Sequence, residues 1–375
     1  PYTTLFRSLF SPYISRKFRN SKIDTMRKKH FLFASVLALL CGSSTLHAQD
    51  FKLTSSGYFK NQGVDVMAFD DIYPEGHQGG VCIIMNGHRV ATNGDIRLEA
   101  TPGQWQPVPK QLDRKLGDNS ITATLCYPDS SRHLTGFNPM IYPDLHLIYT
   151  VNVESKGKNI EVTVDLDRPI PQEFIGKVGF NLEFFPGSLF GKPWIMDGQS
   201  GIFPQQPNSP LMTTQPNYLH TGNYHDGKKS LADMDKLIGK GYSPIVADDI
   251  ISEPYAKGTK FTSRPDDPYN KVTIESLSGD LQLFDGRMNH NNGWFVLRSN
   301  IKPGVTKGAV KWIITPNVVA DWMYQPVIQT SQIGYHPTQD KEAVIEMDIR
   351  DNRKETAQII RIDADGEKVV KNVTP

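Results

Sequence analysis

Short runs of alternating apolar and polar residues, separated by turn residues, constrain the fold of this chain most strongly. Residues 160–166, IEVTVDL, alternate cleanly and predict a β-strand with one buried face. The apolar run at 81–85 meets Asn86-Gly87 and continues at 88–91, which is the pattern of a tight β-hairpin. The 30 glycines and 26 prolines among 375 residues suit a fold with many turns. The sequence therefore predicts an all-β protein.

Runs of this kind continue through residues 49–326, which we interpret as one large β-rich domain. Only residues 230–240 have the spacing of a helix, and residues 185–224 are rich in Pro, Gly, Asn and Gln, as in a long loop. We expect a large antiparallel β-sandwich-like domain, in which two sheets pack face to face. Further strands are predicted at 121–125, 178–185, 272–277, 281–284, 294–297 and 310–314.

The N-terminal part of the chain has the pattern of an export signal. Met26 is followed by three basic residues, an apolar run at 31–41 and a small-residue site that ends at Ala48. We interpret residues 26–48 as a signal peptide and residues 1–25 as a non-native upstream extension.

We therefore expect an exported protein that is periplasmic, associated with the outer membrane or extracellular. Lipoprotein processing at Cys41 is the alternative, and the bulky Leu40 before that cysteine disfavours it. No transmembrane span is predicted, because the apolar run is shorter than the roughly 20 residues that a spanning helix needs.

Removal of residues 1–48 changes the charge of the chain. That segment holds eight of the 41 basic residues and one of the 40 acidic residues, so the remainder has 33 bases, 39 acids and a net charge of −6. A mildly acidic domain argues against nucleic acid as a partner. Cys82 and Cys126 are the cysteines that remain. An exported setting permits a disulfide between them, and two separate core thiols are an equal alternative.

One acidic cluster has the residue types of a metal site. Asp70, Asp71, Glu75 and His77 lie within eight residues of sequence. Their spacing matches no EF-hand or zinc pattern, and the neighbouring proline and glycine favour a solvated turn. We therefore expect no metal ion and no cofactor.

Aromatic residues that alternate with amides and carboxylates are candidate carbohydrate contacts, because a ring face stacks on a sugar while polar groups bind its hydroxyls. Trp194 and Asp197 lie in the long loop, whereas Arg287, His290 and Trp294 lie in a polar turn between predicted strands. Core packing of the rings and a plain turn are the simpler interpretations. No Gly-x-Ser-x-Gly, Walker or HExxH motif occurs, so no catalytic residue is assigned.

The C-terminal stretch 327–349 carries the most specific motif of the chain. A Gln-x-Gly-Tyr-x-Pro corner is followed by a polar gap and a Lys-x-Ala-Val run. Alternation at 343–349 predicts a β-strand with at least one well-buried face, and a hairpin is predicted at 359–370. The motif residues are Gln332, Gly334, Tyr335, Pro337 and Lys341.

This motif resembles the opening of the immunoglobulin-like domain that precedes the catalytic domain in many family 9 glycoside hydrolases of the cellulase type. Residues 327–375 would then be a truncated immunoglobulin-like domain, roughly half of the usual length of about 100 residues. The stretches FDDIYPEGHQGG and GKVGFNLEFFPG also resemble the N-terminal extension of family 9 enzymes from gut Bacteroidetes.

The resemblance implies an accessory role beside a catalytic domain. In family 9, an (α/α)₆ barrel follows the immunoglobulin-like domain and supplies an Asp pair, in an Asp-Ala-Gly-Asp-like motif, and a Glu for hydrolysis with inversion. That motif is absent from this sequence. We expect the N-terminal accessory part of a secreted glycoside hydrolase that acts on a β-glucan polysaccharide or oligosaccharide, with its catalytic domain in cis and no hydrolysis by this part. The alternatives are a non-catalytic carbohydrate-binding or scaffold module and an enzyme of unknown class within 49–326.

Overall fold

The structure, a computed structural model, describes most of the predicted domain and of the tail. The described residues form strands and turns, with three short 3₁₀ turns and no α-helix. The protein is all-β, as the sequence predicts. The predicted helix at 230–240 lies outside the described residues. These are 50–70, 79–99, 102, 109–127, 145–207, 253–288, 293–353 and 355–374, with the backbone alone of strands 4–8, 211–213 and 250–252.

Among the described residues, β-strands account for nearly all regular structure. In chain order they are β1 (Thr4–Ser8), β2 (Lys52–Leu53), β3 (Phe59–Asn61), β4 (Val64–Ala68), β5 (Val81–Met85), β6 (His88–Leu98), β7 (Lys110–Leu116), β8 (Ser120–Cys126), β9 (Ile148–Lys156), β10 (Asn159–Leu166), β11 (Val178–Phe184), β12 (Pro193–Met196), β13 (Gln199–Ile202), β14 (Leu211–Thr213), β15 (Ile250–Ser252), β16 (Ala256–Gly258), β17 (Lys260–Ser263), β18 (Val272–Ser276), β19 (Leu281–Asp285), β20 (Phe295–Asn300), β21 (Val310–Pro316), β22 (Val327–Gln329), β23 (Val344–Glu346), β24 (Ala357–Asp363) and β25 (Gly366–Val373).

The chain divides into two compact units. The large unit is Ala48–Trp322, and the small unit combines Pro1–His47 with Met323–Pro375. The division after Trp322 lies a few residues before the boundary expected at 326/327.

The large unit contains two nine-stranded antiparallel sheets. The first sheet has the order β13-β12-β17-β18-β21-β10-β9-β8-β7, and the second has the order β16-β19-β20-β11-β6-β5-β4-β3-β2. Ring contacts join their inner faces: Phe180 of β11 meets Trp312 of β21 edge-on with centroids 4.9 Å apart, and Phe184 meets Phe261 at 5.8 Å. One continuous apolar core therefore lies between the sheets, which pack as the predicted sandwich.

The predicted hairpin at Asn86-Gly87 is confirmed. Asn86 and Gly87 have φ values of 53° and 81°, as a type I′ turn requires, and they join β5 to β6. The interpretation of residues 185–224 as a loop is wrong in part, because β12 and β13 form a second hairpin inside it. Its turn is Asp197-Gly198, with φ values of 44° and 84°.

Cys82 and Cys126, both among the described residues, are not joined by a disulfide. Cys82 lies on β5 of the second sheet, and Cys126 lies on β8 of the first sheet. The Cys82 Sγ atom is 3.1 Å from Oγ1 of Thr92 on the neighbouring strand. The structure therefore favours two separate thiols.

In the small unit, β22 pairs with β23, and β1, β24 and β25 form a three-stranded sheet. The hairpin predicted at 359–370 is confirmed as β24 and β25. The prediction of a strand with a buried face at 343–349 is wrong in extent and burial, because β23 ends at Glu346 and Ile349 is 97% exposed. Two residues after the end of β23, the Asp348 carboxylate accepts hydrogen bonds from the backbone N–H groups of Tyr324 and Arg350.

Candidate functional site

The outer face of the second sheet carries buried polar groups at its centre. On the outer face of the first sheet, by contrast, residues such as Thr150, Thr163 and Thr273 are half-exposed. Buried charges are tolerated only when they are paired or hydrogen-bonded, so such a concentration is a candidate functional site. We name it the central polar cluster, which consists of Asn93, Asp95, Arg97, Glu99, Asn181, Glu183 and Arg298.

The register of three neighbouring strands brings the cluster together. Asn181 of β11 lies opposite Asp95 of β6 on one side and opposite Arg298 of β20 on the other. Because alternate residues of a strand share a face, Arg97 and Glu183 join the same patch. The residue between the two β11 members, Leu182, belongs to the core.

The Arg298 guanidinium is the structural centre of the cluster. Its Nη1 donates to Oδ1 of Asn181 at 3.0 Å, and its Nη2 donates to the backbone oxygens of Glu99 at 3.0 Å and Lys177 at 3.1 Å. Its Nε donates to Oδ1 of Asn300 at 2.7 Å. The Arg298 side chain therefore links the end of β6, the start of β11 and the end of β20.

Glu99 is a buried acid of the cluster with a raised pKa. Its Oε1 accepts a hydrogen bond from Nδ2 of Asn181 at 2.6 Å and lies 3.4 Å from Nη1 of Arg298. Burial raises the pKa of Glu99 to about 7, although the nearby Arg298 charge and the Asn181 hydrogen bond oppose that rise. Glu99 can therefore hold or release a proton near neutral pH.

Arg97 lies among acids in the other half of the cluster. Burial alone would lower its pKa, but the carboxylates of Glu183 and Asp95 outweigh burial and raise that pKa above its usual value. Its Nη1 atom is 4.0 Å from Oδ2 of Asp95. When Asp95 and Glu183 are ionised, they balance Arg97 and Arg298, and ionisation of Glu99 then gives the cluster a net charge of −1.

Two tyrosines of the first sheet, Tyr149 on β9 and Tyr127 directly after β8, contact β6 at residues 95 and 96. This part of β6 lies beyond Gly94, the last residue that pairs with β5. The hydroxyl of Tyr149 donates to Oδ1 of Asp95 at 2.9 Å, and that of Tyr127 donates to the backbone oxygen of Ile96 at 3.1 Å. Burial, reinforced by the charge of Asp95, raises the pKa of both hydroxyls. They therefore remain protonated donors at neutral pH.

Asn93 lies at a β-bulge in β6. Asn93 and Gly94 together oppose the single residue Leu182 of β11, and Asn93 has a φ of 55°. Its Nδ2 donates to Oε2 of Glu183 at 2.5 Å. Its Oδ1 is buried and has no hydrogen-bond partner.

The two predicted carbohydrate contacts of the long loop, Trp194 and Asp197, both interact with neighbouring strands of the protein. Trp194 is a buried residue of β12, and its ring covers Gly201 of β13. The Asp197 carboxylate accepts from the backbone N–H groups of Thr259 at 2.5 Å and Lys260 at 3.0 Å, which lowers its pKa. Their contact with carbohydrate stays a prediction.

Arg287 and Trp294 also contact the protein itself. Arg287 binds both carboxylate oxygens of the buried Asp285 at 2.8 Å and lies over the ring of Phe295, 4.5 Å from its centroid. The Trp294 ring meets Phe185 edge-on at 4.4 Å. His290 lies outside the described residues, and contact of these three residues with carbohydrate stays a prediction.

The candidate metal ligands give no site in the described part of the chain. Asp70 lies 3.6 Å from Nη1 of Arg114, while Asp71, Glu75 and His77 lie outside the described residues. No group of three or more His, Cys, Asp or Glu side chains among the described residues is arranged to hold a metal ion.

The tail motif forms a closed loop between β22 and β23. The Tyr335 hydroxyl donates to the backbone oxygen of Glu342 and accepts from the backbone N–H of Ser331 at 3.2 Å. Lys341 Nζ donates to the backbone oxygens of Pro337 at 3.1 Å and of Gln339 at 2.8 Å. Gly334 takes the φ of 86° that a left-handed turn needs, and Gln332 is exposed.

Sequence reasoning missed the central polar cluster. A signal was present, because Asn93, Asp95, Arg97 and Glu99 recur at every second position between apolar or small residues. This pattern usually indicates a face in water. Only the structure shows that this face is buried.

No family model and no curated protein matches this chain. Among solved structures, Slr1438 from Synechocystis sp. PCC 6803 is similar at 10% identity and a TM-score of 0.32, covering 71% of this chain and 94% of its own. A galactose mutarotase-like protein from Lactobacillus casei ATCC 334 has 12% identity and a TM-score of 0.33, with 69% and 98% coverage. A galactose mutarotase related enzyme from Lactobacillus acidophilus has 10% identity and a TM-score of 0.33, with 70% and 98% coverage. Similarity this low carries no argument about activity.

In the described part of the chain, no helix has the length and apolar character of a membrane span.

Proposed function

We propose that this chain is the N-terminal accessory part of a secreted, family 9-like glycoside hydrolase that hydrolyses β-glucans by inversion. The observation that carries the proposal is the tail motif, in which Tyr335 and Lys341 close the loop between β22 and β23. Four of the five motif positions have a structural reason: the hydroxyl of Tyr335, the ammonium of Lys341, the left-handed Gly334 and the fixed backbone of Pro337. The motif residues that carry the resemblance therefore shape and close the same loop.

The accessory role is consistent with the acids of the central polar cluster, which differ in their surroundings from the carboxyl pair of an inverting hydrolase. Hydrolysis with inversion needs two carboxyl groups about 6.5–9.5 Å apart, with room for a water molecule and a sugar between them. The acids of the central polar cluster are instead buried and hydrogen-bonded to Asn93, Asn181 and Tyr149. We therefore assign no catalytic residue to the central polar cluster.

The reading frame after codon 375 tests this proposal. We expect a continuing frame of some hundreds of residues with the periodicity of paired helices and an Asp-Ala-Gly-Asp-like motif. A stop codon directly after Pro375 would contradict the proposal, and so would a downstream domain of another class.

A second candidate function is non-catalytic carbohydrate binding by the large unit. The central polar cluster favours it, because amide, carboxylate and guanidinium groups are those that bind sugar hydroxyls in proteins. Calorimetric titration of the chain with β-glucan oligosaccharides tests this function. The Trp194→Ala variant tests whether the predicted aromatic contact takes part, and absence of binding by the intact chain would contradict the function.

A further inference from the structure

The bulge at Asn93 interrupts the pairing of β6 with β11 near the centre of the second sheet. A left-handed φ is unusual for a residue other than glycine, although asparagine tolerates it better than most. The bulge turns the Asn93 side chain onto the face that carries Glu183. Bulges are over-represented at sheet edges, at the rims of barrels and next to active sites, where they re-aim a side chain or end the pairing.

The same side chain contains an unsatisfied acceptor. Asn93 is only 8% exposed, and its Oδ1 has no donor, while its Nδ2 is held by Glu183. A buried polar atom without a partner is destabilising, because folding has taken away its hydrogen bonds to water and supplied none in their place. A ligand that brings a hydrogen-bond donor to this oxygen would remove that cost, because it would supply the missing hydrogen bond.

The charges around Asn93 limit the chemistry of such a ligand. Asp95, Glu99 and Glu183 outnumber Arg97 and Arg298, so an anion such as phosphate would meet net repulsion when Glu99 is ionised. A metal ion is disfavoured, since the described residues contain no group of three candidate ligands. A neutral polyhydroxylated molecule fits best, because its hydroxyls can donate to Oδ1 of Asn93 and it brings no net charge to the cluster.

We infer that the outer face of the second sheet contains a binding site for one neutral sugar unit, with Oδ1 of Asn93 accepting a hydrogen bond from a sugar hydroxyl. Glu183 positions the amide by accepting from Nδ2. The inference rests on the second candidate function, carbohydrate binding, and adds its location. It is independent of the family 9 assignment.

The test compares two asparagines with the same backbone conformation. Asn93→Gly removes the acceptor and keeps a residue that adopts φ 55° without strain. Asn86→Gly is the matched control, because Asn86 has a φ of 53° in the turn between β5 and β6, outside the cluster. Binding of cellobiose and of cellotetraose to the full chain is measured by isothermal titration calorimetry at pH 7, with inorganic phosphate as the anionic probe.

We expect wild-type protein and Asn86→Gly to bind cellotetraose equally, and Asn93→Gly to bind it about tenfold more weakly or worse, as for one lost hydrogen bond to a ligand. Equal binding by all three proteins would overturn the site but leave carbohydrate binding standing. No binding by the wild type would overturn both. Phosphate binding that Asn93→Gly abolishes would overturn the ligand class.

Folding of the Asn93→Gly variant is checked by circular dichroism. If it does not fold, hydrogen exchange of the wild type decides, with and without cellotetraose. Slower exchange at residues 92–96 on binding supports the site, whereas slower exchange confined to other strands overturns it.

Discussion

Glu99 provides the sharpest test of the buried cluster. The Glu99→Gln variant keeps an oxygen that can accept from Nδ2 of Asn181, and it removes the ability to ionise. Asp95 and Glu183 then balance Arg97 and Arg298 at every pH at which those four are ionised. The variant therefore isolates the free-energy cost of ionising Glu99 in the folded protein.

The magnitude follows from the raised pKa of Glu99. The folded protein holds the Glu99 proton up to a pKa of about 7, whereas an unfolded chain releases it near 4.5. Between these values the folded state binds more protons, so stability falls as pH rises from about 4.5 to about 7 and stays constant above that window. The difference of about 2.5 pH units corresponds to roughly 3 kcal/mol at most.

Urea unfolding at pH 5, 6, 7 and 8, followed by tryptophan fluorescence, measures this effect. We expect the free energy of unfolding of Glu99→Gln, relative to wild type, to increase by up to roughly 3 kcal/mol between pH 5 and pH 8. Glu275→Gln is the control, since Glu275 is an exposed acid of the first sheet paired with Lys260. A difference between Glu99→Gln and wild type that does not grow with pH would refute the reasoning.

Three further substitutions test individual contacts. Arg287→Ala takes the bidentate partner from the fully buried Asp285, so we expect the free energy of urea unfolding to fall by about 3–5 kcal/mol, and a loss under about 1 kcal/mol would contradict the buried pair. Gly201→Ala would overlap the ring of Trp194, with an expected loss of about 1–3 kcal/mol, and unchanged Trp194 fluorescence and stability would argue against that packing. Tyr335→Phe removes the hydroxyl that closes the tail loop, so amide exchange at residues 331 and 342–344 should accelerate, whereas unchanged exchange would show that the hydroxyl does not hold the loop.

The strand pattern could be predicted where side-chain alternation and turn chemistry agree. Asn86-Gly87 fixed the first hairpin because few other residue pairs adopt two positive φ values. Asp197-Gly198 is the same turn signal, but its flanking strands have only four residues each. Pro193 at the start of β12 also favours a loop, so this hairpin could not be predicted from the pattern.

Burial could not be predicted from the same patterns. Polar residues at every second position of β6 indicate an exposed face, yet in the folded chain they are buried and hydrogen-bonded across three strands. The reverse error occurred at 343–349, where apolar alternation predicted a buried face and Ile349 is 97% exposed. Local sequence sets the strand, while burial depends on distant segments that pack against it.

The most direct test of the accessory role is reducing-sugar release from a soluble β-glucan by the purified chain. We predict no release above a blank without protein, since no catalytic residue is assigned to residues 49–326. Release that is abolished by Glu183→Gln, or by another single acidic substitution within 49–326, would contradict that role and show that the large unit is itself an enzyme.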